Sequence, residues 1–413
     1  MTQYCSIFSQ ILALFQRPEF AKIVRKHKAE KHSKGFTCWD QFVAMLFCQL
    51  AQAHSLREIC NGLASCLGKL KHLGVSKAPN KSTLSYANEH RPCEVFEDLF
   101  YLLLFKCTAK AKEKKRKFRF KNKLFSLDAT VIELCLSMFE WAQFRQTKGA
   151  VKLHLLLDHD GYLPVYAHIT EGSVHEINLA RTIKLPAGSI VALDMGFTDY
   201  SLYKDWTDNQ IYFVTRLKDN AAYEVVKEYN PPENRNILSD QLIRFTGRDS
   251  KKKCPHQLRR IEVWDAENER IIVLLTNHLK FGATTIAAIY KERWQIEIFF
   301  KAIKQNLKIK TFVGTSPNAL KIQIWTALIA ILFLKYLQLC STIAWSLSNL
   351  IALLRWNLFT YRNLWDWINE PYTVQAQPPP DMQMDLWWSN LGQHNFQNSQ
   401  PVLENCVIPV LNA

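Results

Sequence analysis

The sequence predicts a mixed α/β fold that is preceded by an all-α N-terminal region. Apolar residues recur at helical spacing through residues 1–109, and strand-like segments alternate with short helices from Leu124 onward. At 413 residues the chain exceeds the usual size of one domain, so we expect two or three units. The predicted division is a helical domain at 1–109, a basic linker at 110–123, an α/β core at 124–345 with a β-rich insertion at about 206–283, and a C-terminal helical segment with a Pro-rich tail at 346–413.

The positive charge of the chain is concentrated near its N-terminus. Lys and Arg total 52 against 37 Asp and Glu, an excess of 15. Residues 1–125 hold 23 Lys or Arg against 9 Asp or Glu, which places an excess of 14 in the first third. This distribution predicts a polyanionic partner, most commonly nucleic acid. The 11 cysteines include no CxxC pair, which argues for reduced thiols in a cytosolic protein and against zinc.

Two long helices are predicted in the N-terminal region from TCWDQFVAMLFCQLAQ and PCEVFEDLFYLLLFKC. Between them, SLREICNGLAS and NKSTLSYANEHR are shorter helix candidates with Ser or Asn at the capping position. Two short helices joined by a connection with Gly and Pro are compatible with a DNA-binding helix-turn-helix. A plain helical bundle explains the same pattern, and both interpretations stay open.

The segment KAKEKKRKFRFKNK at residues 110–123 contains nine Lys or Arg together with Phe118 and Phe120. Runs of like charge are usually solvated linkers. Since this run directly precedes a strand, it is equally suited to follow a phosphate backbone, and we assign possible DNA contacts to Lys115, Arg116 and Lys117.

The central region begins with LFSLDAT, VKLHLLLD and LPVYAHIT, which predict three neighbouring strands with an Asp-Gly turn between the last two. That turn explains Asp158 and Asp160 without catalysis. SVHE at 173–176 matches a capping box that opens a helix. GSIVALD predicts a buried strand, and a helix follows it directly. Polar groups at the ends of such strands border the usual ligand crevice of an α/β sheet.

An apolar segment extends from Ile322 to Leu334 and is interrupted by Lys335. A membrane span needs about 20 apolar residues, so we predict a buried helix packed on the sheet and no membrane association. The sequence QAQPPPDMQMDLWW in the tail from Tyr372 predicts extended or disordered chain.

The stretch YKERWQIEIFFKAIKQNLKIK at residues 290–310 is predicted to be one helix. At ~100° per residue, Tyr290, Arg293, Glu297 and Lys304 fall within about 60° of one another. The adjacent apolar stripe comprises Ile296, Phe299, Phe300, Ile303 and Leu307. An ordinary surface ion pair between Arg293 and Glu297 is the simplest explanation. A carboxylate among cations also suits a site that holds both metal and phosphate.

Three carboxylates are candidates for such a site: Asp128 and Asp194, which both end apolar strands, and Glu297. Two divalent metals about 4 Å apart activate a nucleophile on one side of a phosphorus atom and stabilise the departing oxygen on the other. Mg²⁺ and Mn²⁺ prefer hard oxygen ligands, which explains Asp and Glu at these positions in preference to His or Cys.

The chain resembles the DDE transposases of bacterial insertion sequences, in the group with a Tyr-x2-Arg-x3-Glu-x6-Lys signature. Tyr290, Arg293, Glu297 and Lys304 keep every spacing of that signature. SLDAT and LDMGFTDYSLYK resemble the two preceding motifs of the family, and the N-terminal part resembles the helical domain of one subgroup. The resemblance covers about residues 5–370.

This resemblance implies a ribonuclease-H-like core in which Asp128, Asp194 and Glu297 bind two Mg²⁺ or Mn²⁺. It also implies that Tyr290, Arg293 and Lys304 contact phosphates of the transposon end. We add Lys301 and Lys308 as DNA contacts. Relatives that form a DNA hairpin stack a flipped base on a Trp at a position where this chain has Ile271 and Ile272, so Trp264, one strand earlier, is the nearest stand-in.

The resulting prediction is a cytoplasmic, nucleoid-associated bacterial transposase. It binds terminal inverted repeats in double-stranded DNA, cleaves at the element ends and joins 3′-hydroxyl ends to target DNA, with a homodimer in the synaptic complex. Three alternatives remain: a catalytically inactive DNA-binding regulator, an integral membrane protein, and a ribonuclease-H-like repair nuclease.

Overall fold

The computed structural model describes residues 5–376, except 32, 67, 136, 138, 146–147, 234 and 310–311. Most of the predicted Pro-rich tail therefore lies outside the described residues. The N-terminal region is helical, as predicted. Its α-helices are α1 (Ile7–Leu12), α2 (Arg17–Lys26), α3 (Cys38–Ala51), α4 (Leu56–Ala64), α5 (Lys81–His90) and α6 (Glu94–Ala111).

The two short helix candidates are α4 and α5, but they do not form a standard helix-turn-helix. Their connection spans residues 65–80 and includes a 3₁₀ helix at Leu70–Leu73. A helix-turn-helix joins its helices by only about three or four residues. Leu84 and Ala87 of α5 are buried, whereas Lys81, Ser82 and Tyr86 are exposed to solvent. The two helices thus form part of a larger bundle that leaves one polar face of α5 accessible.

A ten-stranded mixed sheet forms the centre of the molecule. Its first strands are β1 (Leu124–Leu134), β2 (Gln143–Arg145), β3 (Lys148–Asp158) and β4 (Leu163–Glu171). β3 pairs antiparallel with both β1 and β4, which confirms the predicted hairpin. In the turn between β3 and β4, Asp158 accepts a hydrogen bond from the backbone N–H of Asp160 at 2.8 Å, as the turn interpretation requires.

The next elements complete the parallel part of the sheet. They are α7 (Glu176–Ala180), β5 (Ile190–Leu193), α8 (Tyr200–Asp208) and β6 (Tyr212–Arg216). β5 lies parallel to β1, and β6 lies parallel to β5. The predicted capping box before α7 is wrong: the helix begins at Glu176 after His175, and no side chain caps it. The mixed α/β, ribonuclease-H-like fold class is confirmed.

The strand-rich segment continues the same sheet instead of forming a separate layer. It comprises β7 (Tyr223–Tyr229), β8 (Ile237–Phe245), α9 (Arg248–Lys253), β9 (Leu258–Asp265) and β10 (Arg270–Thr276). The strand order is β2-β3-β1-β5-β6-β10-β9-β8-β7, with β4 on the outer side of β3. Because β6 belongs to the central parallel strands, the additional strands start after Arg216, later than the predicted boundary at about 206.

Five helices follow the sheet in the described residues: α10 (Ala283–Glu292), α11 (Trp294–Asn306), α12 (Pro317–Cys340), α13 (Leu347–Asn357) and α14 (Leu364–Asn369). α12 is long and apolar enough to span a membrane by length and composition, but 83% of its most apolar window is buried inside the protein. The buried helix is as predicted. Its main partners are α6, α3 and α5 and only marginally β4, whereas packing on the sheet was expected.

One hydrophobic core joins the N-terminal helices to the α/β region. It contains Phe42 of α3, Phe100 of α6, Ile303 of α11 and Leu328 of α12, all almost completely buried, together with Leu155 of β3. Because these side chains pack in a single cluster, the helical region and the α/β region cannot be separated without exposing apolar surface.

Candidate active site

The register of the parallel strands places two of the predicted carboxylates side by side. Leu127 of β1 is paired with Leu193 of β5, and Asp128 and Asp194 each follow one position later. Successive residues of a strand point to alternate faces. The prediction that Asp128 ends its strand is wrong, because β1 continues to Leu134, whereas Asp194 directly follows β5. Both residues nevertheless lie where the parallel pairing of β1 with β5 ends, at the carboxyl edge of β5. This edge is where the strands of an α/β sheet usually present ligand-binding groups.

Arg293 connects the third carboxylate to this edge. Its Nη2 lies 2.7 Å from Oε1 of Glu297, and its Nη1 lies 4.0 Å from Oδ2 of Asp128. The Arg293 guanidinium is largely buried, and it also lies over the Tyr290 ring at 5.6 Å from the ring centroid. The structure therefore brings Asp128, Glu297, Arg293 and Tyr290 together on one side of the sheet.

The predicted single helix at 290–310 is wrong, because the chain forms two helices that meet at Arg293. The backbone N–H of Arg293 donates to the Tyr290 carbonyl, and that of Ile296 donates to the Arg293 carbonyl, both at 3.1 Å. These are i to i−3 bonds, which tighten the chain locally and interrupt the regular α-helix. α11 ends at Asn306, and Glu297 lies in its first turn. The N-terminal end of a helix stabilises a negative charge there.

The charge on Asp128 is destabilised by its surroundings. Burial, with smaller contributions from the charges of Glu176 and Asp194, raises the pKa of Asp128 to about 7. A hydrogen bond from the Ala129 backbone N–H, 2.8 Å from Oδ1, and the charge of Arg293 act in the opposite direction but do not offset burial. An added cation at this edge would compensate a carboxylate that the protein itself leaves poorly compensated.

The carboxylates do not yet form a metal-binding cluster. Among the residues that the structure describes, no three His, Cys, Asp or Glu side chains lie close enough to hold one ion. The Arg293 guanidinium lies between Asp128 and Glu297 and supplies the positive charge there. Three hard oxygen donors at one edge nevertheless match the ligand chemistry of Mg²⁺ and Mn²⁺.

Of the three predicted lysine contacts on this part of the chain, Lys301 and Lys304 lie in α11. Lys304 Nζ donates to the Val131 carbonyl of β1 at 2.9 Å, which ties α11 to the sheet. Lys301 is exposed one turn after Glu297. Lys308 follows α11, and its Nζ lies 3.1 Å from Nδ1 of His54 in the N-terminal region.

The basic segment before β1 is packed on the protein and is not a free linker. Arg116 lies 3.0 Å from Asp160, and Lys117 is ion-paired with Glu292. Phe118 and Phe120 stack with ring centroids 4.9 Å apart beneath the same segment. Part of the positive charge assigned to DNA is therefore already balanced by carboxylates of the core, whereas Lys115 is exposed to solvent.

Trp264 lies on β9 directly opposite Ile271 of β10. Leu274 of β10 pairs with Arg216, the last residue of β6, and with Ile261 of β9. Trp264 is three residues beyond Ile261, so it extends about 10 Å past the end of β6 at ~3.3 Å per residue. Its side chain is 39% exposed.

Two further charged residues near this region, Glu292 and Arg216, were not predicted from the sequence. Glu292 is buried, with His159 Nδ1 3.8 Å away, Tyr162 donating at 3.2 Å, and Lys117 paired to it. The interaction with His159 and the bonds from Lys117 and Tyr162 lower the pKa of Glu292 to about 2 against the effect of burial. Arg216 is the last residue of β6, the strand next to β5, which Asp194 follows. The charge of Arg216 lowers the pKa of Tyr290, although burial has a larger effect and raises it. Its place at a strand end is the sequence signal that could have found it.

Comparisons with known proteins identify the family to which the chain is similar. Residues 119–333 match the family described as "Transposase DDE domain", and residues 3–76 match a "Domain of unknown function (DUF4372)". A protein of Sinorhizobium fredii named as transposase y4zB is 32% identical over 67% of this chain and 77% of its own length. A protein of Geobacillus stearothermophilus named as the transposase of insertion sequence element IS5377 is 28% identical over 62% of this chain and 67% of its own length. A solved structure, the piggyBac transposase synaptic complex with hairpin DNA, covers 86% of this chain and 79% of its own with a TM-score of 0.39 and 10% identity.

Proposed function

The chain belongs to the transposase family that carries the Transposase DDE domain, and from this premise we propose that it cuts DNA at the ends of an insertion sequence and joins the freed ends to target DNA. The substrate is double-stranded DNA that carries the terminal inverted repeats of the element. The proposal is supported by two observations: Asp128 and Asp194 follow paired residues of β1 and β5, and Arg293 lies between Asp128 and Glu297.

Two Mg²⁺ or Mn²⁺ ions are the cofactors of the proposed reaction, held by Asp128, Asp194 and Glu297. When bound, such ions activate an attacking oxygen and stabilise a departing one in phosphoryl transfer. The raised pKa of Asp128 supports this assignment, because burial disfavours its charged form and a bound cation would stabilise that form.

The protein's own side chains would position the phosphate. Arg293 and Tyr290 flank the carboxylates, Arg216 ends the neighbouring strand, and exposed Lys301 follows Glu297 by one turn. Arginine is suited to two-point hydrogen bonding with phosphate oxygens. These cations neutralise charge on the DNA backbone and hold the scissile phosphate in line with the attacking group.

The reaction has two phosphoryl-transfer steps without a covalent protein intermediate. In the first, a water oxygen bonds to phosphorus at the element end, the bond to the 3′-oxygen breaks, and that oxygen takes a proton. In the second, the freed 3′-hydroxyl loses its proton to solvent as its oxygen bonds to a phosphorus of the target strand. The bond from that phosphorus to the target's 3′-oxygen breaks, and the departing oxygen takes a proton from solvent. Trp264 is the candidate to stack on a displaced base if cleavage passes through a DNA hairpin.

The helical N-terminal region would bind the repeat, and two copies of the chain would pair the two ends in a synaptic homodimer. Its excess of positive charge supports DNA binding. We place this activity in the bacterial cytoplasm at the nucleoid. The second candidate function, an inactive DNA-binding regulator, requires that the carboxylates serve no reaction.

The test is a metal-dependent nicking and strand-transfer assay on DNA from the flanks of the gene. We expect Asp128→Asn, Asp194→Asn and Glu297→Gln to abolish cleavage and to leave DNA binding measurable by gel shift. Asp219→Asn, in an exposed loop after β6, is the control and should cleave normally. Full cleavage by any of the three variants would refute the assignment of that carboxylate, and no cleavage by the unaltered chain would favour the regulator.

A further inference from the structure

Two adjoining cavities lie between α4, α5 and the chain that follows α11. One has a volume of ≈390 Å³ and is lined in part by Arg57, Asn80 and Lys81. The other has a volume of ≈320 Å³ and is lined in part by His54, Arg57, Lys81 and Phe312. Because Arg57 and Lys81 line both, the cavities form one open depression, which we name the α4–α5 groove.

The chemistry of the α4–α5 groove suits an anion. Arg57 and Lys81 are exposed, and no acidic residue lines either cavity in the part of the chain that the structure describes. Asn80, which precedes α5, makes no capping hydrogen bond with its side chain, so the first backbone N–H groups of α5 lack that partner. Two cations beside free amide donors favour phosphate oxygens.

The groove is joined to the active-site edge by α11. Gln52, just before α4, donates to the carbonyl of Asn306 at 2.8 Å, and Lys308 Nζ lies 3.1 Å from Nδ1 of His54, which lines the groove. Glu297 lies nine residues before Asn306, which is about 14 Å of helix at 1.5 Å per residue. Exposed Lys301 lies between these two ends. A row of cations thus leads from the carboxylates to the groove.

We propose that the α4–α5 groove binds the phosphodiester backbone of the same DNA end whose scissile phosphate lies at Asp128, Asp194 and Glu297. Arg57 and Lys81 each contact one phosphate of that backbone, several base pairs from the cut. The inference rests on the proposed function. It assigns DNA binding to a groove that includes Arg57, within the matched domain of unknown function, and Lys81, which lies beyond it.

The experiment measures binding of a fluorescein-labelled 40-base-pair duplex from the element end, by anisotropy between 50 and 200 mM salt. Each lost phosphate contact lowers the slope of log K against log salt by about 0.9. Arg57→Ala with Lys81→Ala should therefore lower the slope by nearly two and weaken binding about 50-fold near 0.1 M salt. Arg57→Lys with Lys81→Arg should restore most of the slope.

The matched control is Lys22→Ala with Arg25→Ala on the exposed face of α2, which should leave the slope unchanged. An unchanged slope in the groove variant, or a loss equal to that of the α2 control, overturns the proposal. The proposed function is tested separately by Mg²⁺-dependent nicking: Asp128→Asn should lose nicking and keep the full slope. Nicking that persists in Asp128→Asn, with a lowered slope in the groove variant, would reject the catalytic assignment and keep the groove.

Discussion

Replacing Asp128 by Asn should stabilise the metal-free protein at alkaline pH. Burial raises the pKa of Asp128 from 3.8 to about 7. The unfolded chain therefore releases this proton first, and the folded protein loses stability as pH rises between about 4 and 7. At 1.36 kcal/mol per pKa unit, the carboxylate costs up to about 4 kcal/mol at pH 8 and about 1.7 kcal/mol at pH 5. Asn keeps the shape of the side chain and removes that cost.

The assay is urea unfolding in EDTA at pH 5 and pH 8, with Asp219→Asn as the surface control. The stability gain of Asp128→Asn over the unaltered protein should grow by about 2 to 3 kcal/mol between the two pH values. Arg293 retains its 2.7 Å partner Glu297 in the variant, so the guanidinium is not left without a carboxylate. A gain that is equal at both pH values, or a variant that is less stable at pH 8, would refute the reasoning.

Three further predictions concern the surroundings of the site. Glu292→Gln removes a carboxylate whose pKa is lowered to about 2. The stabilisation of the folded protein by this carboxylate is present above pH 4.5 and is lost as the pH falls toward 2. The variant should therefore unfold at a lower temperature than the unaltered protein at pH 7, and the difference in unfolding temperature should shrink in acid. Equal unfolding temperatures at pH 7 would contradict this. Lys304→Met removes the hydrogen bond to the Val131 carbonyl and should lower the free energy of unfolding, measured in urea, by about 1 to 3 kcal/mol. Unchanged stability, together with a smaller dependence of DNA-binding affinity on salt concentration, would instead favour a phosphate contact. Trp264→Ala should leave the first nick intact and slow hairpin formation on a denaturing gel, and a Trp264→Ala protein that makes hairpins at the normal rate would exclude the stacking role.

Much of the sheet was predictable because its signals are local. Asp128 follows an apolar strand segment, and GSIVALD is a short buried strand that the residue order places before a helix. The structure pairs these strands in parallel, which brings Asp128 and Asp194 together at neighbouring positions. An acidic residue that follows an apolar run can be recognised from the sequence alone, so the candidate carboxylates could be selected without coordinates, although β1 continues past Asp128 to Leu134.

The features that sequence reasoning missed depend on contacts between distant segments. The break at Arg293 carries no Gly or Pro, and the residue stays in helical dihedral angles with φ −52° and ψ −32°. The burial of Glu292 depends on His159 and on Lys117 from two other parts of the chain. Helical periodicity contains none of this information, because it describes one segment at a time.

The shared hydrophobic core has a consequence for the proposed cleavage. Phe42 and Phe100 of the helical region pack in the same cluster as Ile303 of α11 and Leu328 of α12. A domain on a loose tether would search over a range of separations between its bound repeat and the scissile bond. Here the helical region and α11 share one close-packed interior, so in the proposed reaction the protein itself would fix the distance between the bound repeat and the cleaved bond.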